Sequence, residues 1–208
     1  MRYFLTLTSL FLFIVSTMSS AYANEYQLLI SKKNNELVVE RSGQVVKKYH
    51  IASGKGGKGT KRLRGDSKTP LGMYRVASFK ESSRFHFFIQ LDYPNLIDAW
   101  YGYKNKVIDA NNFKRIASAY KKREAPPQDT ELGGFIGIHG LGITNDEKLN
   151  IHESFNWTQG CIALTNEEIN DKFSNWAGQK YKFLRTHLSD SPIMVHTIFD
   201  YLNKQKQA

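Results

Sequence analysis

The chain has 208 residues and a formal net charge of +10, from 29 Lys and Arg residues against 19 Asp and Glu residues. This length suits one domain with a sizeable core, and the single cysteine excludes an internal disulfide. The basic balance favours an anionic partner such as a nucleic acid, a membrane surface or an acidic wall polymer, although a solvated basic surface accounts for most of the lysines.

The first 23 residues are typical of a secretory signal peptide. Arg2 precedes an apolar run over residues 3–15, and Ala-Tyr-Ala at 21–23 forms a small-x-small cleavage site. The run is short for a bilayer span and contains hydroxyl residues, so an uncleaved membrane anchor is the less favoured alternative. We therefore predict a signal peptide at residues 1–23 and a single exported domain at residues 24–208, with no stable membrane insertion after cleavage.

Export also narrows the choice of anionic partner. Removal of the leader takes away one Arg and no acidic residue, which leaves 28 Lys and Arg against 19 Asp and Glu, a net charge of +9. An exported protein meets little nucleic acid, and the chain has no basic motif interleaved with aromatic residues, so we predict no nucleic-acid partner. The predicted location is the periplasm or cell envelope.

The first part of the exported chain predicts a β-meander. YQLLI, ELVVER and QVVKKYHI are short β-prone runs, and turn-forming dipeptides separate them at residues 34–35 and 42–43. A Gly- and Lys-rich loop at residues 53–72 follows. It resembles a phosphate-binding loop, but Thr60-Lys61 inverts the order that such a loop requires, which excludes that motif.

The rest of the chain predicts more strands and two helices. MYRVASFK and FHFFIQLDY predict strands, residues 109–123 have a helical pattern, and GFIGIHG predicts a strand with Phe135, Gly137 and His139 on one face. Thr165 and Glu168 form a capping box that starts a helix over NEEINDKFSNW, and PIMVHTIF predicts a last strand. This order of elements indicates a mainly β domain, a sandwich or a barrel.

Cys161 is either a small buried hydrophobe, half of an intermolecular disulfide, or a nucleophile. A cysteine nucleophile needs a base and a cradle for the oxyanion. Among six histidines His139 fits best, because it ends an apolar strand and precedes Gly140, which lets a substrate approach closely. Gly160 permits a tight turn whose N–H groups can face an oxyanion. On these residues alone, a Cys–His pair and structural roles for both remain open.

The histidines lack the spacing of a metal site. His139 and His152 are thirteen residues apart, and neither belongs to a ligand motif such as H-E-x-x-H. We interpret His152-Glu153 as a solvated pair in a loop and His196 as a structural residue of the last strand. We therefore predict no metal and no other cofactor.

Four segments, in order, resemble the L,D-transpeptidase catalytic-domain family. The first signature is His139-Gly140, followed 22 residues after the His by Gly160-Cys161. GDSKTPLGMYRV resembles the family segment G-D-x-x-T-P-x-G-x-Y, and SRFHFFIQLDYPN and NWTQGCIALTNEEI resemble segments of one exported subgroup. These segments span residues 65–169, and residues 26–51 resemble the opening strands of the family less specifically.

The resemblance implies a mainly β, sandwich-like domain with a few short helices that acts on peptidoglycan stem peptides. Cys161 would attack the bond between a diamino acid and a terminal D-alanine and hold the acyl group as a thioester. His139 would be the base, the Gly140 carbonyl would orient it, and the N–H groups of Gly160 and Cys161 would hold the oxyanion.

The resemblance leaves the acceptor of the acyl group open. An amine from another stem peptide or from a wall-attached lipoprotein gives a transpeptidase. Water gives an L,D-carboxypeptidase or an amidase on the same wall substrates, and a non-catalytic wall-binding module is a third alternative. The basic surface would attract the carboxylates of the stem peptides.

The chain departs from the family pattern at two positions. Many members have S-H-G-C where this chain has T-Q-G-C, so Gln159 replaces a second histidine. Many also carry an Arg two residues after the cysteine, where this chain has Ala163. Arg84 and His86 are candidates for the missing substrate contact, with packing as the alternative, and Trp157 either forms a wall of the cleft or fills the core.

Overall fold

A computed structural model describes residues 26–82, 84–170 and 184–187. The predicted signal peptide, the predicted strand PIMVHTIF and the end of the helix predicted over NEEINDKFSNW lie outside these residues. The described strands are β1 (Tyr26–Ser31), β2 (Glu36–Arg41), β3 (Gln44–His50), β4 (Gly72–Tyr74), β5 (Val76–Ser82), β6 (His86–Leu91), β7 (Gly137–His139), β8 (Ile162–Ala163) and β9 (Leu184–His187). The described helices are α1 (Leu96–Lys104), α2 (Ala110–Lys122), α3 (Asp146–Ser154) and α4 (Asn166–Glu168).

The first sheet has the strand order β3-β2-β1-β9-β4. β1, β2 and β3 pair antiparallel, which confirms the predicted meander. Asn35, Ser42 and Gly43, at the two turns between them, have φ values of 52°, 53° and 77°, in the left-handed region that tight turns use. β9, which the sequence did not predict, lies parallel to β1 and antiparallel to β4.

The second sheet has the order β5-β6-β7-β8. The segment MYRVASFK, predicted as one strand, divides at Arg75 into β4 of the first sheet and β5 of the second. The carboxylate of Asp92 accepts both the Arg75 backbone N–H and Nε, each at 2.7 Å. The Asp92 carboxylate thus accepts the backbone N–H of Arg75 at the point where the chain crosses from one sheet to the other.

One central core joins the two sheets face to face. Alternation along β2 buries Leu37 and Val39 and leaves their neighbours partly exposed, and Ile138 and Ile162 are buried on β7 and β8. Each fully buried Leu or Ile contributes about 1.5–3 kcal/mol. The mainly β, sandwich-like fold predicted from the sequence is therefore confirmed. The buried members of the core are Leu28, Ile30, Leu37, Val39, Tyr49, Ile51, Tyr74, Ile89, Leu91, Tyr93, Ile136, Ile138, Ile162, Leu164 and Ile169.

α1 and α2 form a helical insertion with a smaller core of its own, made of Leu96, Ala99, Ile108, Phe113, Ile116 and Leu132. α2 confirms the predicted helix, with Asp109 as N-cap and Arg123 as a left-handed C-cap. α1 was not predicted. It begins after the N-cap Asn95, whose side chain accepts two backbone N–H groups of the first turn.

α3 corrects the prediction for His152 and Glu153. They lie in a helix that begins after the N-cap Asn145, not in a loop, and the His152 side chain is buried. The capping box of Thr165 and Glu168, by contrast, is confirmed at the start of α4. In the ranges described, the helices are too short and too polar to span a bilayer.

Candidate active site

β7 and β8 bring the two predicted reactive residues together. The strands are parallel, with Ile138 opposite Ile162 and His139 opposite Ala163. Since Ile138 and Ile162 point into the central core, alternation turns His139 to the opposite face. Cys161 directly precedes β8, and its sulfur lies beside the residues that lead into β7. The register and the alternation therefore place the side chains of His139 and Cys161 on the sheet face that is turned away from the core.

The His139 ring is fixed by a carbonyl and by aromatic neighbours. Nδ1 lies 2.7 Å from the Gly140 carbonyl oxygen. Because a carbonyl oxygen only accepts, Nδ1 carries the proton and Nε2 keeps a free lone pair. The Phe85 ring packs against the imidazole with centroids 4.4 Å apart, and Trp157 meets it edge-on at 6.2 Å.

Burial keeps the imidazole neutral. It lowers the pKa of His139 to about 4, although the hydrogen bond to the Gly140 carbonyl acts in the opposite direction. The positive charges of Lys148 and Arg84 lower this pKa further. His139 is therefore present as a proton acceptor at neutral pH.

The Cys161 thiol is half-buried and protonated. It donates to the carbonyl oxygen of Phe135, with the sulfur 3.4 Å from that oxygen. Burial raises the pKa of Cys161 to about 11, and the Gly137 N–H and the Lys61 charge offset only part of this rise. The two pKa values make the thiol and the imidazole neutral at pH 7, and among the described hydrogen bonds none joins Cys161 to His139.

A hydroxyl closes the turn that carries the thiol. Thr158 Oγ1 donates to the Cys161 carbonyl at 2.7 Å and accepts the Gly160 N–H at 3.1 Å. Gly160 has φ +127°, and a Cβ there would lie 2.7 Å from the Lys68 carbonyl oxygen, so only glycine fits. The Gly160 N–H, predicted as an oxyanion donor, is thus engaged inside its own turn. Within the described residues the Cys161 N–H has no such acceptor.

The Gly- and Lys-rich loop supports this turn. The Lys55 N–H donates to the Thr158 carbonyl at 2.9 Å. Further along, Asp66 accepts the buried Lys61 ammonium at 2.8 Å and the backbone N–H groups of Arg62, Leu63 and Lys68. Sequence reasoning missed this carboxylate as an organising residue, although the G-D of GDSKTPLG is its signal.

Arg84 and His86 lie on either side of Phe85. The Arg84 guanidinium lies over the Phe85 ring, 4.9 Å from its centroid, and that ring packs in turn on His139. His86 is exposed, and its Nε2 lies 2.8 Å from Asn170 Oδ1. Phe85 itself was not predicted as a site residue, although the phenylalanine of the S-R-F-H segment was its signal.

Trp157 and Gln159 flank the cysteine turn. Trp157 packs against a small cluster of Ala52, Leu141 and Ala163 and also meets the His139 ring edge-on. Gln159 is exposed. In the described part of the chain, no three His, Cys, Asp or Glu side chains come together as metal ligands.

The family model for the L,D-transpeptidase catalytic domain (YkuD) matches residues 25–187 of this chain. The chain belongs to this family. The resemblance drawn from the sequence motifs is thereby confirmed. This L,D-transpeptidase domain is 36% identical over 67 residues to the protein named "Putative L,D-transpeptidase YafK" of Escherichia coli (strain K12), an alignment that covers 31% of this chain and 27% of YafK.

Solved structures with the same fold include the helical cell shape determining protein Pgp2 of Campylobacter jejuni. Pgp2 and a variant of it are 24% and 23% identical to this L,D-transpeptidase domain, each with a TM-score of 0.51. The alignments cover 86% and 88% of this chain and 55% of each Pgp2 chain. The chain therefore spans about half the length of the solved structures it matches, and the likeness shows the fold.

Proposed function

We propose that this protein is a peptidoglycan L,D-transpeptidase that works through a thioester on Cys161. The observation that carries the proposal is the register of β7 and β8, which sets a half-buried thiol and a buried, carbonyl-oriented imidazole on one sheet face. Family membership supplies the substrate class, the stem peptides of the cell wall. Residues 1–23 would direct the protein out of the cytoplasm to that substrate.

In the first half-reaction Cys161 attacks the carbonyl carbon between the diamino acid and the terminal D-alanine. Nε2 of His139 takes the thiol proton as the C–S bond forms, and the free Cys161 N–H stabilises the oxyanion. The C–N bond then breaks, His139 returns the proton to the leaving amine of D-alanine, and the acyl group stays on sulfur. A neutral pair suits this order, because the proton moves during the attack and not before it.

In the second half-reaction an amine attacks the thioester. Nε2 of His139 accepts a proton from that amine, and the sulfur leaves and is protonated again. The amine comes from a second stem peptide or, as a further proposed partner, from a wall-attached lipoprotein. The mature charge of +9 supports a role in attracting the carboxylates of these peptides.

The test is incubation of the mature protein with purified cell walls, followed by digestion and separation of the muropeptides. We expect new dimers joined between diamino acids, lost in Cys161→Ala and in His139→Ala. Tripeptides without dimers would identify water as the acceptor and replace transfer by hydrolysis at the same site. Products that are equal for the wild type and Cys161→Ala would refute the proposal, and circular dichroism of both variants controls for folding.

A further inference from the structure

Phe135 adopts a backbone conformation that a large aromatic residue seldom takes. Its φ is +55°, in the left-handed region, and its side chain is 66% exposed at the rim of the site. GFIGIHG predicts extended backbone here, but the strand begins only at Gly137. The conformation turns the Phe135 carbonyl toward Cys161, whose thiol donates to it. Strain of this kind persists only where surrounding groups enforce it.

Gln128 holds Phe135 in this conformation, and both ends of its side-chain amide form hydrogen bonds. Its Oε1 accepts the Phe135 N–H. Its Nε2 donates to the Tyr93 carbonyl at 3.0 Å and to the Pro126 carbonyl at 2.8 Å. Both ends of the amide are therefore engaged, so the side chain has one fixed orientation.

Gly134, directly before Phe135, lets Gln128 come this close. Gly133 has φ +85°, and a Cβ at Gly134 would lie 2.7 Å from Gln128 Cα, closer than real side chains allow. Any other residue at 134 would push Gln128 away from the Phe135 amide. Gly134 thus lies directly against Gln128, next to the Phe135 amide that Gln128 binds.

We infer that Gln128 is a positioning residue that holds the Phe135 carbonyl against the Cys161 thiol. A carbonyl oxygen accepts from S–H but repels a thiolate, so this contact keeps the thiol protonated and in one orientation until His139 takes the proton. The relevance to turnover rests on the proposed function. The state of the thiol does not, because it can be measured without a wall substrate.

The test is the pH dependence of Cys161 alkylation by iodoacetamide in Gln128→Leu. We call the hydrogen bond from the Phe135 N–H to the Gln128 amide the clamp. Loss of the clamp should lower the pH midpoint of alkylation by about one pH unit relative to the wild type, because the neutral thiol loses its acceptor. Gln44→Leu, which removes an exposed amide on β3, is the matched control and should leave the midpoint unchanged. An unchanged midpoint in Gln128→Leu would overturn the inference.

The same substitution in a Phe135→Gly variant distinguishes a positioning role of Gln128 from general support of the fold. Glycine adopts a left-handed φ without strain, so Phe135→Gly should need no clamp. In that background Gln128→Leu should move the midpoint by less than about 0.3 pH units. Equal shifts in both backgrounds would mean that Gln128 acts by another route, which also overturns the inference.

Gln128→Asn covers the case in which Gln128→Leu does not fold. It stays polar but is too short to reach the Phe135 amide, and we expect the same midpoint shift as for leucine, with thermal unfolding as the check on folding. A wild-type midpoint retained in Gln128→Asn would count against the clamp. If the midpoints shift as expected while the wall assay shows no products, the proposed function fails and the positioning role stands.

Discussion

His139 and Cys161 are both neutral at pH 7, and burial is the first cause at each residue. Many reactive cysteines are instead thiolates beside a positive group. Here the carbonyl of Phe135 accepts from the thiol and disfavours a thiolate, whereas the carbonyl of Gly140 favours a charged imidazole but is outweighed by burial. In the proposed mechanism the proton therefore moves from sulfur to Nε2 only when the substrate is attacked.

The buried imidazole should also make stability depend on pH. The pKa of His139 falls from 6.5 to about 4 on folding, so the stabilisation is complete above pH 6.5 and is lost as the pH falls toward 4. Between pH 7.5 and pH 4.5 we expect the free energy of unfolding to drop by about 2–3 kcal/mol more in the wild type than in His139→Gln. Urea unfolding at both pH values measures the difference, and equal drops would show that His139 does not titrate with folding.

The candidate reactive residues are visible in the sequence, but the residues that support them are not. Cys161 is the only thiol, and His139 ends an apolar strand before a glycine, so both are visible without a structure. Phe85 packs on His139 although it lies 54 residues earlier in the sequence, and no local sequence pattern predicts such a contact. Gln128 was missed because its partner Phe135 has a left-handed backbone that the alternation of GFIGIHG contradicts.

At the scale of elements, the crossover between β4 and β5 depends on one carboxylate. Asp92 is buried and bonds both the backbone and the side chain of Arg75. Asp92→Ala should lower the free energy of unfolding by about 2–3 kcal/mol, because it leaves a buried amide without an acceptor and a half-buried guanidinium without its counter-charge. Asp92→Asn keeps an acceptor and should cost less.

The exposed ion pair of Arg115 and Asp129 provides the control for this experiment. Its side chains are 43% and 70% exposed, so Asp129→Ala should cost less than about 1 kcal/mol. Urea unfolding of the three variants gives the comparison. Similar costs for Asp92→Ala and Asp129→Ala would show that the crossover does not depend on the carboxylate.

The elements that the sequence predicts are those with a local signal. The meander has alternating apolar residues and turn dipeptides, and α2 and α4 have capping residues at their starts. The division of MYRVASFK at Arg75 has no such signal, because it depends on Asp92, which is distant in sequence. α3 has a capping asparagine, but its apolar pattern is too weak to indicate a helix.

For the whole molecule, the prediction that matters most concerns residues 1–23. Expressed in full in a bacterium, the protein should be recovered outside the cytoplasm with Asn24 as its first residue, as N-terminal sequencing or intact mass would show. Ala23→Asp should block cleavage because the site needs a small residue, whereas Ala23→Ser should permit it. Recovery of the wild type with the leader still attached would favour the membrane anchor.

The parallel pairing of β7 and β8 has a consequence for how activity is lost. A slip of β8 by one residue would bring the Cys161 side chain into the core and turn Ile162 toward the face that carries His139. Such a slip would displace the proposed nucleophile and disturb the core in one step. Agents that unfold the sandwich should therefore reduce the number of active molecules and leave the turnover of each survivor unchanged.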